Sequence, residues 1–366
     1  MIEILVGLAA LILLLLITAP LETLSWWSAQ EETEERQEPI ATGPAPEEGT
    51  CWVVYISGIG AVSGNSPKPE QPLIERIQQR LGHDARFVEG VYPYSVLENP
   101  LTEGRDGSWL WRQLERLQNR RVPVIPQLIN LYNALQVLVS ADRRYGPIFN
   151  LGLAREVWRL LREAGYRHGS GDPVVLLGWS GGVQICVGMA WYLADVKIPV
   201  YVLSLAGVIS SDPGLDRIRH LWHIEGTRDH VPQLGQVIFP SRWPLFPESS
   251  WNRARREGRI TTHEVGPWRH ASSPTYLSRR RQPNGIVPVD QTADALVESL
   301  IDAGLIRRRL PFTDGRKLLE GGLDARARGL DELRDELEPG MAFEELEPVA
   351  DEWPEGVDER PGPDRD

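Results

Sequence analysis

Six short runs rich in β-branched and apolar residues punctuate the chain, near residues 52–57, 86–92, 174–178, 199–205, 220–225 and 260–265. The segments between them carry helical spacing, as in Val183–Leu193. Strands that alternate with helices predict an α/β fold: a mostly parallel sheet with helices on both faces. One interval is too long. Between Tyr92 and Pro173 lie about 80 residues, where a single crossover helix with its loops takes roughly 20–30. A helical insertion, about residues 94–172, is therefore expected before the third strand, with helical patterns at Trp109–Leu117, Gln127–Val139 and Leu151–Ala164.

The third run, Val174–Leu177, stops at Gly178-Trp179-Ser180-Gly181-Gly182, a G-x-S-x-G pentapeptide between a strand and a helix. In a sharp strand-to-helix turn, side chains two residues before and after the serine would collide, which explains glycine at both places. The alternative is a buried strand ending in a glycine turn, with Ser180 as helix N-cap. A serine hydroxyl is a weak nucleophile and needs a histidine to take its proton and a carboxylate to orient that histidine. Both types follow in loops just past later strands: Asp229 after His220–Glu225, and His270 after Arg259–Val265. Rivals are Asp212 and Asp216 for the acid and His263 for the base, although strict alternation puts His263 inside a strand. His230 is expected to shape the loop. Around His83, His168, His220 and His223 no second motif forms, and with no H-E-x-x-H in the sequence neither a metal nor a cofactor is expected.

Over about residues 51–305, within a domain of residues 51–310, the chain resembles the α/β-hydrolase family of serine esterases, lipases and thioesterases, in which serine, acid and histidine follow in that order after successive parallel strands. The resemblance implies Ser180 as nucleophile, Asp229 as acid and His270 as base. It also implies two backbone N–H groups aimed at the oxyanion: one from Gly181, the other from Gly58 or Ile59 in the loop after the first strand. In that family an insertion such as 94–172 forms a cap over the site; the alternative is additional core helices. Gly58-x-Gly60-x-x-x-Gly64 also has the look of a relaxed dinucleotide-binding turn, but Pro67, Pro69 and Pro72 postpone the helix that should open there, and Ser63 stands at the tighter glycine position.

Charge separates the chain into parts. Residues 1–27 hold the apolar run Ile4–Ala19 followed by Trp26 and Trp27. At ~1.5 Å per residue that run barely spans a ~30 Å hydrocarbon core, and it lacks a basic n-region and an A-x-A site, so an uncleaved single-pass membrane anchor is expected. Which side of the membrane the chain faces is left open, since the first basic residue, Arg36, sits among glutamates. Residues 28–50 form an acidic linker of charge −6, and residues 311–366 an acidic tail of charge −11 that reads as disordered. Residues 51–310 are left with +7 although the whole chain carries −12. Nucleic acid is not an expected partner, because the acidic tail would compete for basic surface. Cys51 and Cys186 fix no redox compartment.

These readings converge on a membrane-anchored serine hydrolase that cleaves a small-molecule carboxylic ester or thioester of a lipid-like or apolar acyl substrate through Ser180, His270 and Asp229. The alternative is a non-catalytic protein of the same fold that binds a partner.

Overall fold

A computed structural model describes residues 49–59, 69–91, 93 and 125–307. The expected anchor, nearly all of the linker, the acidic tail and the Trp109–Leu117 pattern lie outside the described residues. Among the described residues, no helix is long and apolar enough to cross a membrane.

Six strands, β1 (Cys51–Ile56), β2 (Ala85–Val91), β3 (Val174–Trp179), β4 (Val200–Leu205), β5 (Leu221–Glu225) and β6 (Ile260–Glu264), form one sheet in the order β2-β1-β3-β4-β5-β6. Every pairing is parallel. The central strands read as continuous apolar runs because both faces are covered. Alternate residues point to opposite sides, so Trp52, Val54, Leu176 and Val202 enter one core cluster and Val53, Tyr55, Leu177 and Leu203 the other.

Helices α1 (Gln71–Leu81) and α7 (Pro288–Asp302) cover the second face with Leu73, Ile77, Ala293 and Leu296. On the first face lie α2 (Ile125–Ala141), α3 (Gly146–Glu163), α4 (Gly182–Asp195) and α6 (Ser250–Arg256); a short α5 (Leu234–Ile238) follows β5. The α3 helix shows why the cap reading fails for its part of the insertion. Phe149, Leu153, Val157 and Leu161 recur at helical spacing and are buried against the sheet core, where Val157 and Leu161 each contribute roughly 1.5–3 kcal/mol by leaving water. Residues 146–163 are therefore a core crossover helix, the alternative kept open for the insertion. A six-stranded parallel sheet with a strand–turn–helix at its centre is an α/β-hydrolase fold, and the loops holding Ser180, Asp229 and His270 leave the carboxyl ends of its strands.

Candidate active site

The turn between β3 and α4 carries the first candidate side chain. Ser180 has φ +54°, a left-handed conformation that costs a non-glycine residue energy and needs the surroundings to hold it. They do so on both sides. The Ser180 amide donates to Leu205 O across the sheet at 2.9 Å, and α4 starts two residues later. A Cβ on Gly178 would sit 2.7 Å from Val183 Cα, and one on Gly182 would sit 2.5 Å from Ser57 O. Both glycines are thus required by close backbone approach, at the two positions the pentapeptide supplies. The helix N-cap is Gly181 and no side chain caps it, so the N-cap alternative for Ser180 does not hold.

Ser180 Oγ lies 2.7 Å from His270 Nε2, and His270 Nδ1 lies 2.9 Å from Asp229 Oδ2. Three loops, after β3, β5 and β6, bring these groups into one hydrogen-bonded chain. Asp229 is held firmly. Its Oδ1 accepts from the Val231 amide at 2.9 Å, and its Oδ2 also accepts from the Tyr276 hydroxyl at 2.9 Å. Burial alone would raise the Asp229 carboxyl, but the hydrogen bonds from His270, Val231 and Tyr276 outweigh it and hold its pKa below the ordinary value. Tyr276 is shifted well upward by burial and by the Asp229 charge, so it stays a protonated donor. The imidazole has a second constraint: the Trp179 indole stacks on it with centroids 4.7 Å apart and planes 11° apart.

The rival residues are placed elsewhere. Asp212 accepts from the Gly214 amide at 2.8 Å and from Gln184 Nε2 at 3.1 Å, and burial pushes its carboxyl up to about 6. Asp216 is engaged by Ser250 and by Arg253. His263 is exposed on β6, and His230 pairs with Gln233 in the loop. A second serine–histidine pair exists. Ser204 Oγ lies 2.7 Å from His223 Nδ1, between register partners on β4 and β5. Both are buried in the sheet, and burial, then the Arg242 charge, lower His223 to about 4. It is a neutral structural pair shut off from any substrate. Among the described residues no cluster of histidine, cysteine and acidic side chains could hold a metal. Cys51 and Cys186 are free and buried on opposite faces of the sheet.

The loop after β1 holds the two other backbone positions singled out from sequence. Gly58 is packed so closely that an added Cβ would meet the Trp179 ring at 2.5 Å. Glu70, buried just before α1, anchors this loop: its Oε2 accepts from Tyr55 Oη and from Ser57 Oγ at 2.7 Å each. Burial raises the Glu70 carboxyl, and these donors partly offset the rise. Asn133 of α2 donates its side-chain amide to Ile59 O. Sequence reasoning missed Glu70, Asn133 and Tyr276, and noted Trp179 only as a letter inside the pentapeptide. Apart from Trp179, which adjoins the serine, these residues lie in no local pattern that points at the site.

No family model matches the sequence, and no curated protein matches it. Among solved structures, the chain is similar to an esterase of Pyrobaculum calidifontis (9% identity, 72% of this chain and 79% of that one, TM-score 0.39). It is also similar to carboxyl esterase 2 of the mycorrhizal fungus Tuber melanosporum (12% identity, 71% of this chain and 77% of that one, TM-score 0.34). An arylesterase shows a comparable likeness (8% identity, 72% and 78% covered, TM-score 0.35). At these identities the similarity concerns the fold alone.

Proposed function

We propose that this chain is a membrane-anchored serine hydrolase that cleaves a carboxylic ester or thioester with an apolar acyl group. The observation that carries the reading is the relay from Ser180 through His270 to Asp229, with the serine raised on a strained turn. In the first half-reaction Ser180 Oγ bonds to the substrate carbonyl carbon while its proton passes to His270 Nε2. Collapse of the tetrahedral intermediate breaks the bond to the leaving oxygen or sulfur, which takes that proton. Water, deprotonated by the same imidazole, then releases the acid from Ser180. Asp229, kept ionised, holds the ring and stabilises the imidazolium.

Two amides serve the oxyanion in this reading. Gly181 follows the nucleophile. The second donor is the amide of Gly58 or of Ile59, in the loop after β1. No cofactor enters the chemistry.

Apolar substrates are favoured by the surface beyond the acid loop. Of the nine exposed large apolar side chains among the described residues, six lie between Leu234 and Phe246, including Val237, Trp243 and Leu245. Such clustering marks an interaction surface. The apolar run Ile4–Ala19 supports a membrane setting for it, through a single-pass anchor. Turnover of four- and twelve-carbon acyl esters and thioesters by the purified chain, beside Ser180→Ala, tests the reading. Hydrolysis that vanishes with the serine supports it. Folded protein that hydrolyses none of them shifts the function to partner binding.

A further inference from the structure

A groove of about 400 Å³ opens beside the imidazole, lined by His270, Pro69, Pro72, Thr275, Leu277 and Arg279 among others. Resting on the hydrolase reading above, we infer that this groove receives the leaving alcohol of the substrate, and that Arg279 selects alcohols carrying a negative charge.

The side of the site follows from proton transfer. In this reading His270 Nε2 takes the proton from Ser180 Oγ, 2.7 Å away, and must deliver it to the departing oxygen, which keeps the electron pair of the broken C–O bond. The alcohol portion therefore lies against the histidine, and the groove is walled by that residue. Its body is apolar, from Pro69, Pro72 and Leu277, and its rim is cationic. Arg279 is exposed, and among the described residues it has no carboxylate or other partner. Asp290, which follows the Val289 amide bonded to Ser278 O, is held by Arg76 and Arg80.

The arm that bears Arg279 is fixed rather than loose. The Arg269 amide donates to Pro274 O at 3.0 Å and the Val289 amide to Ser278 O at 3.1 Å, while Ser278 Oγ accepts from the Thr275 amide at 2.8 Å. A guanidinium projected from a pinned turn offers a forked donor to a carboxylate or phosphate. Because it is exposed, salt should weaken its effect.

The test uses the full chain and two esters that differ only in the leaving group: an acyl 4-oxybenzoate, whose phenol carries a free carboxylate, and its neutral methyl ester. Each is made with four- and twelve-carbon acyl chains, so that a soluble and a lipid-like anionic ester are compared. The ratio of kcat/KM, anionic over neutral, is read in wild type, Arg279→Gln, Arg279→Lys and Arg255→Gln, so that intrinsic reactivity cancels. The ratio should fall about fivefold in Arg279→Gln, the reach of one exposed ion pair. It should fall less in Arg279→Lys, and not at all in Arg255→Gln, which lowers overall charge equally at a position outside the groove. A fall at either chain length supports the inference. Wild type that hydrolyses both esters with a ratio unmoved by Arg279→Gln, or moved as much by Arg255→Gln, overturns it. Hydrolysis of neither ester removes the serine-hydrolase reading itself.

Discussion

The Trp179 indole lies nearly parallel to the His270 imidazole, 4.7 Å between centroids. The residue before Ser180 thus holds the ring of the proposed base. Stacking stops the imidazole from turning about its Cβ–Cγ bond, and an aromatic face attracts the imidazolium formed once the serine proton is taken, by about 1–2 kcal/mol in a desolvated site. Trp179→Leu is therefore expected to lower kcat about tenfold with little change in KM, while Trp179→Phe should keep most of it. Steady-state kinetics decide; equal turnover in Trp179→Leu would show the stack to be packing alone.

Asp229 and Asp212 differ in what their carboxylates touch. Asp229 meets His270, whereas Asp212 meets Gly214 and Gln184. Asp229→Asn should lower kcat roughly 10³–10⁴-fold, as loss of an orienting acid does, at a melting temperature that changes little. Asp212→Asn should leave turnover within about twofold. Tyr276→Phe belongs to the same comparison: it strips a donor from Asp229 and an acceptor from the Gly226 amide, so a stability loss of about 1–3 kcal/mol is expected together with lower kcat.

How far the site could be read from the sequence depends on whether each constraint was local. Gly178 and Gly182 are demanded by backbone contacts within one turn, so the pentapeptide showed them. The strand boundaries emerged to within about a residue because apolar runs bounded by turns need no tertiary knowledge, and with them came the loop positions of Asp229 and His270. Glu70 is different. It reaches Tyr55 and Ser57 across a stretch of prolines, and nothing in local spacing marks a buried glutamate. The pairing of Ser204 with His223 needs the β4–β5 register, and the burial of α3 against the sheet needs the path of the chain between β2 and β3. Those constraints are set by the assembled fold and left no periodic trace.

Two buried groups should leave opposite marks on stability. Asp212 has its folded pKa raised to about 6, so the folded state binds its proton more tightly and stability contributed there is lost as pH rises from about 4 to 6. His223 is lowered to about 4, so the unfolded state binds its proton more tightly and stability is lost as pH falls from about 6.5 to 4. The two effects oppose each other over one window, each roughly 3 kcal/mol at full extent. Relative to wild type, Asp212→Asn should therefore gain stability as pH rises from 4 to 7. His223→Gln should gain it as pH falls. Denaturant midpoints measured at each pH check both signs, and parallel curves for all three proteins would refute the assignment.

Covalent labelling by a fluorophosphonate probe tests the reaction of Ser180 itself, since only a serine whose proton can be drawn off attacks such a phosphorus centre at neutral pH. Intact and peptide mass spectrometry of the treated protein is expected to show one adduct, located at Ser180, absent from Ser180→Ala and strongly slowed in Asp229→Asn. A folded wild-type chain that takes up no probe, or takes it up at another residue, would contradict the proposal that Ser180, His270 and Asp229 form a working nucleophile.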